Sequence, residues 1–216
     1  MAPSPSSPLP RIYVLAGVNG SGKSSIAGAA FREHGANYYN PDEAARELRA
    51  AQPALSQVDA NSAAWHRGFN LLTDAIEQRL DFAFETTLGA SSIPRALAQA
   101  ADQGFEINVW YAGLATPELH LARVRSRVQA GGHDIPEAAI RRRFEHSRMN
   151  LITLLPKLAA LRVYDNSAEG DPQTGKTPAP VLVLHCVRGR IQNPKGLPFA
   201  PEWAKPIVAA ALKLQG

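Results

Sequence analysis

Cysteine is nearly absent from this sequence. Cys186 stands alone among 216 residues, which excludes an intramolecular disulfide and fits a reducing compartment. Long apolar runs are missing too: no stretch approaches the roughly 18 consecutive apolar residues of a membrane-spanning helix, so no membrane association and a cytoplasmic location are expected. The six histidines are scattered without metal-ligand spacing. No segment repeats. The first ten residues, MAPSPSSPLP, lack the apolar core and basic flank of a secretory signal and read as a disordered leader. That leaves 11–216 for one domain of ordinary composition, 45% apolar and 19% charged.

Strands and helices alternate along this domain. RIYVLA, Tyr38–Tyr39, DFAFET, FEINVWYAGL, LRVYDNS and VLVLHCV are apolar, β-branched or aromatic runs that read as six strands. Between them lie helical segments with recognisable starts and stops. Lys23 to His34 ends at Gly35; Asn40 caps and Pro41 opens a second helix; Trp65, Phe69, Leu72, Ile76 and Leu80 form an apolar stripe at three- and four-residue steps. Further starts occur at Ser92 with Pro94, at Thr116–Pro117 and at Asp134–Pro136, and a last helix runs from about Trp203 to Leu214. The expectation is an α/β architecture with a mostly parallel sheet covered by helices on both faces.

The first strand runs into AGVNGSGKSS. Backbone N–H groups of such a glycine loop, opening a helix, converge on phosphate oxygens where the helix dipole adds a favourable field. Gly17, Asn19, Gly20, Ser21, Gly22, Lys23, Ser24 and Ser25 are therefore the expected nucleotide-phosphate cradle, with Lys23 bridging the terminal phosphates and Ser24 holding Mg²⁺. The same spacing recurs at Gly170, Gly175, Lys176 and Thr177. There Pro172, Pro178 and Pro180 prevent a helix from starting at the lysine, so that copy reads as a surface loop. No guanine-reading Asn-Lys-x-Asp segment is present, which favours ATP over GTP as the cofactor. The signature loop of transporter ATPases is missing as well.

The net charge of +4 is carried mostly by arginine, much of it between Arg123 and Arg148, and points to a partner bearing phosphates, nucleotide or nucleic acid. Arg123 and Arg127 share a helix face; Arg141, Arg142 and Arg143 open a second helix across a Gly-Gly-His hinge. Consecutive arginines diverge around a helix, so at most one or two of the three can face a site.

Five ordered segments, AGVNGSGKSS, YNPDEAARELR, FETTLGASS, RVQAGGHDIPEAAIRRRFEHSRMNL and VYDNS, resemble the zeta-toxin family of small P-loop kinases over about residues 11–167. The resemblance implies a three-layer P-loop NTPase fold with a helical lid, about residues 117–150. It implies an ATP-dependent kinase acting on a hydroxyl of a nucleotide sugar, characteristically UDP-N-acetylglucosamine, with an antitoxin as a possible partner. Asp42 is then the acceptor base, a role its place after the second strand also supports; the bland alternative is a carboxylate complementing the dipole of its own helix. Glu85, Thr86 and Thr87 become acceptor contacts, with a metal-shell role for Glu85 as the competing reading. Arg127, with Arg142 or Arg143, becomes the neutraliser of the moving phosphoryl group, against a solvated basic face. His133 reads as a hinge histidine, Asp165 and Asn166 as a nucleotide contact or a turn, and Trp65, Phe69 and Trp110 as core, with Trp65 the one placed beside the acceptor site. The competing function is a nucleic-acid kinase or ATP-dependent nucleic-acid-binding module, for which no recognition motif is present. A third reading is a nucleotide-gated partner protein without chemistry. The final strand and helix carry no assigned role.

Overall fold

The computed structural model describes residues 8–23, 26, 38–170 and 178–215. The expected helix after Lys23, both Ser24 and Ser25, most of the leader and the centre of the second glycine pattern lie outside the described residues.

Seven strands form one sheet in the order β2-β3-β1-β4-β5-β6-β7. They are β1 (Arg11–Ala16), β2 (Tyr38–Tyr39), β3 (Phe82–Thr86), β4 (Glu106–Gly113), β5 (Ala160–Asp165), β6 (Val181–Val187) and β7 (Arg190–Ile191). The five strands from β2 to β5 pair in parallel, with β1 central between β3 and β4. β6 and β7 add on antiparallel, and β7 is a two-residue strand too short to show in the sequence pattern. Among the described residues six α-helices flank the sheet: α1 (Pro41–Ala51), α2 (Gln57–Glu77), α3 (Ser92–Asp102), α4 (Pro117–Gln129), α5 (Glu137–Leu154) and α6 (Lys205–Lys213).

Local chemistry accounts for the helix starts. Asn40 accepts from the backbone N–H groups of Asp42 and Glu43 ahead of Pro41, and Thr116 accepts from Leu119 ahead of Pro117. Two boundaries differ from the sequence expectation. α2 ends at Glu77, so Leu80 lies outside it and is exposed. The last helix begins at Lys205, after a short 3₁₀ turn at Glu202–Ala204.

β1 is buried on both faces. Ile12, Val14 and Ala16 join the main core with Leu72, Leu97, Ile107 and Leu151, while Tyr13 and Leu15 face a second cluster with Ala83 and Trp110. Such two-sided burial explains why the central strands read as continuous apolar runs. It also fixes β1 as the rigid platform from which the glycine loop departs. Because β2, β3, β4 and β5 run parallel to β1, the segments that follow all five gather at one edge of the sheet, where crevices in open α/β folds form.

Candidate active site

The glycine loop leaves β1 with Gly17, Gly20 and Gly22 at φ of +144°, +80° and +75°, a backbone path that side-chain-bearing residues rarely follow. Its packing is equally restrictive. A Cβ on Gly17 would sit 2.3 Å from the Ala112 carbonyl oxygen, and one on Gly20 would sit 2.7 Å from that of His120.

Lys23 is nearly buried, and its Nζ donates to the Gly17 carbonyl at 2.8 Å and pairs with Glu85 Oε1 at 3.3 Å. Ser21 is fully buried, yet its Oγ finds no hydrogen-bond partner among the described residues. An orphaned hydroxyl inside a loop of this shape fits an anionic ligand.

Two helices brace the loop from outside. His120 of α4 lies under it, with Nδ1 2.9 Å from the Asn19 carbonyl oxygen. Burial pulls the imidazole pKa down to about 4, so the ring is neutral and Nδ1 carries the hydrogen, since a carbonyl can only accept. Arg143 of α5 donates to Asn19 Oδ1 at 2.6 Å. Val18 packs with Leu121, Val124 and Ile140, which ties α4 and α5 to the loop as one apolar unit.

The linkage consequence of His120 has a definite sign. In the unfolded chain it binds a proton below pH ~6.5, but in the folded chain only below about 4, so stability is lost as pH falls through that window. The loss attributable to this ring is roughly 3 kcal/mol at most. Denaturant unfolding from pH 7 to 4 is expected to slope less steeply for His120→Asn than for the unsubstituted protein. Equal slopes would show that His120 is not the proton acceptor.

Asp42, in the first turn of α1, faces the crevice. Its Oδ2 accepts from Arg127 Nη1 at 3.4 Å, and its Oδ1 lies 3.9 Å from His133 Nε2. Arg127 also donates to the His133 carbonyl oxygen at 3.2 Å, closing the hinge between α4 and α5. Glu85, at the end of β3, accepts from Tyr38 Oη at 2.9 Å and lies 3.5 Å from Asn40 Nδ2 as well as pairing with Lys23. Burial and the Glu85 carboxylate push the Tyr38 phenol up, so it stays a donor.

Two cavities open at this edge. One, of about 700 Å³, runs past Gly20, Gly22, Lys23, Arg46, Arg123 and Arg127. The other, of about 320 Å³, is lined by Tyr39, Trp65, Phe69, Ile93, Thr86 and Thr87, and also by Arg143. Both are lined by Asn19, Asp42, Glu85 and His133. A polar, basic compartment and a more apolar one thus meet at a pair of carboxylates.

A family model described as zeta toxin matches residues 1–170. The chain belongs to the zeta toxin family. Among curated proteins, an uncharacterized protein of Haemophilus influenzae is 33% identical over 129 residues, 59% of this chain and 88% of that protein. Among solved structures, the AvrRxo1-ORF1:-ORF2 complex with ATP superposes with a TM-score of 0.66 at 16% identity, covering 94% of this chain and 63% of that one. The chain therefore spans under two thirds of that relative's length. The PezAT toxin–antitoxin system of Streptococcus pneumoniae gives a TM-score of 0.56 at 18% identity, covering 74% of this chain and 69% of that one. These likenesses show the fold, a P-loop NTPase arrangement of a mostly parallel sheet between helices.

Within this zeta-toxin-family chain the consecutive arginines separate as their helix requires. Arg143 enters the smaller cavity. Arg141 pairs with Glu118 at 2.7 Å and Glu137 at 2.8 Å, and Arg142 is exposed and lines neither cavity. Gly89 makes room for Arg143, because a Cβ there would come within 2.6 Å of the arginine Cγ.

Thr86 and Thr87 line the smaller cavity and also shape its rim, accepting from the N–H groups of Leu88 and Gly89. Trp65 stacks on Phe69 with ring centroids 5.3 Å apart, is one-third exposed and lines that cavity, whereas Trp110 is core. Ser24 and Ser25, assigned to Mg²⁺ and phosphate from the motif, lie outside the described residues.

Sequence reasoning missed His120, Arg46 and the Tyr38–Glu85 bond. His120 sits on the buried face of an otherwise polar helix, a position the helical period could have flagged. Asn166, open between a nucleotide contact and a turn, donates from Nδ2 to the Ser21 carbonyl oxygen at 2.9 Å.

Proposed function

We propose that this protein is an ATP-dependent kinase that transfers the γ-phosphoryl group to a hydroxyl of a nucleotide sugar, with UDP-N-acetylglucosamine the acceptor that the family resemblance favours. The observation that carries this reading is the meeting of a polar, basic cavity and an aromatic-walled cavity at Asp42 and Glu85. The larger compartment suits a triphosphate tail. Lys23, Arg127 and the loop N–H groups present positive charge to it, and Ser24 would take the Mg²⁺. The smaller one suits a sugar ring, which the exposed face of Trp65 can cover while Thr86, Thr87 and Arg143 offer polar contacts.

Bound ATP with Mg²⁺ supplies the phosphoryl group and screens its charge. The chain's own residues do the rest. Asp42 accepts the hydrogen of the acceptor hydroxyl and aims its oxygen into the larger cavity; because the transition state is loose, orientation matters more than full deprotonation. Arg127, already in contact with Asp42 in the larger cavity, and Arg143, anchored on Asn19 in the smaller one, neutralise charge on the moving phosphoryl group. Glu85 holds Lys23 and borders both cavities, so it serves the acceptor hydroxyl or the metal's water shell. An antitoxin that covers this crevice belongs to the same reading.

The nucleic-acid alternative is disfavoured by the state of the basic stretch. Arg141 is paired with Glu118 of α4 and Glu137 of α5, and Arg148 with Glu145, which weakens the positive field a polyanion would follow. The deciding measurement is incubation with ATP and Mg²⁺ alongside nucleotide sugars, dinucleotides and oligonucleotides, with products read by mass. A gain of about 80 Da, the transferred phosphoryl group, is expected on a nucleotide sugar. A gain confined to oligonucleotides, with steep salt dependence, would replace the reading; no gain on any acceptor would overturn it.

A further inference from the structure

Residues 178–215 lie beyond the segment that the family model matches, yet they contribute Trp203, whose indole reaches the underside of the glycine loop through a short relay. The indole is buried against the end of β4, where a Cβ on Gly113 would approach a ring carbon to 2.2 Å, so only glycine admits it. Its Nε1 donates to Asp165 Oδ1 at 3.0 Å. The same carboxylate oxygen accepts from Ser167 Oγ, which in turn accepts from the Ala115 N–H at 2.8 Å.

These bonds fix the turn on either side of Asn166. Asn166 then holds the loop directly: its N–H donates to the Gly113 carbonyl oxygen at 3.0 Å and its Nδ2 to that of Ser21 at 2.9 Å. Its own carbonyl oxygen receives Arg123 Nη2 at 2.7 Å. Arg148 of α5 meanwhile donates to the Trp203 carbonyl oxygen at 3.3 Å, so the indole is held from the helix that also carries Arg143.

We propose that Trp203 is a positioning residue for the phosphate loop, acting through Asp165 and Ser167 on Asn166. The inference rests on the nucleotide reading of that loop. Its physical content is preorganisation: a loop whose Ser21 carbonyl is held in place presents its N–H groups without first being ordered by the ligand. Losing one such hydrogen bond is worth about a fivefold change in affinity.

The test is calorimetric binding of Mg·ATP to the full chain at two temperatures below its unfolding transition. Trp203→Phe removes the N–H and, lacking the outer indole ring that meets Gly113, also opens space there; Ser167→Ala breaks the next link without touching the core. Each is expected to weaken binding about fivefold, and the double variant also about fivefold rather than the roughly 25-fold of independent sites. Unchanged affinity for Trp203→Phe would overturn the proposal, as would additive losses. A deficit that vanishes at the lower temperature would mark a general stability effect and overturn it too. Failure of the unsubstituted protein to bind Mg·ATP would instead remove the nucleotide reading itself, which distinguishes the two.

Discussion

Asp42→Asn is expected to lower the phosphoryl-transfer rate about 10²–10⁴-fold, the range for losing a positioned proton acceptor, while nucleotide affinity holds. Asparagine keeps the shape of the side chain and its oxygen. What it removes is the negative charge that orients the acceptor hydroxyl and makes its oxygen the better nucleophile. The change is mild structurally, because Asp42 is two-fifths exposed, its contact with Arg127 is 3.4 Å long, and the Asn40 cap acts on the Asp42 backbone rather than on its side chain. An exposed pair of this kind contributes little to stability. Single-turnover transfer measured beside nucleotide titration separates the outcomes. Transfer at the unsubstituted rate would reduce Asp42 to a helix-dipole residue and favour a nucleotide-gated partner protein; parallel loss of transfer and nucleotide binding would place Asp42 in the donor site.

Lys23→Met is expected to depress transfer about 10²–10³-fold, the usual cost of deleting one charge donor aimed at the developing transition state, and to weaken nucleotide binding as well. Methionine fills the volume of the lysine stem, so the apolar packing survives. The ammonium does not. Without it the Gly17 carbonyl loses a donor and Glu85 loses its counter-charge, leaving that largely buried carboxylate with Tyr38 and Asn40 among the described residues. Unpaired, Glu85 would repel a triphosphate in the neighbouring cavity. Lys23→Met combined with Glu85→Gln should therefore recover part of the nucleotide affinity but none of the transfer rate. Full transfer activity in Lys23→Met would move the phosphate site away from the glycine loop.

The fold was legible wherever a local rule had no competitor. RIYVLA had to be a buried central strand because its residues are apolar on both faces. The Asn40 and Thr116 caps were readable because capping is settled within three residues. β7 was not readable, since two residues carry no period, and the antiparallel run of β6 was invisible because strand direction is decided by partners far along the chain.

The candidate site divides along the same line. The sequence by itself determined the glycine loop, the carboxylate after the second strand, the rim at Glu85 to Thr87 and the reservoir of arginines, because each is a short pattern tied to one strand end or one helix. Only the tertiary structure decided that Arg143 rather than Arg142 enters a cavity, that His120 and Asn166 brace the loop, and that Trp203 reaches it from the far end of the chain. The reason is geometric. Neighbouring helical side chains point about 100° apart, and which of them meets the crevice depends on how α4 and α5 pack against Val18, a relation between residues more than a hundred positions apart that no local pattern encodes.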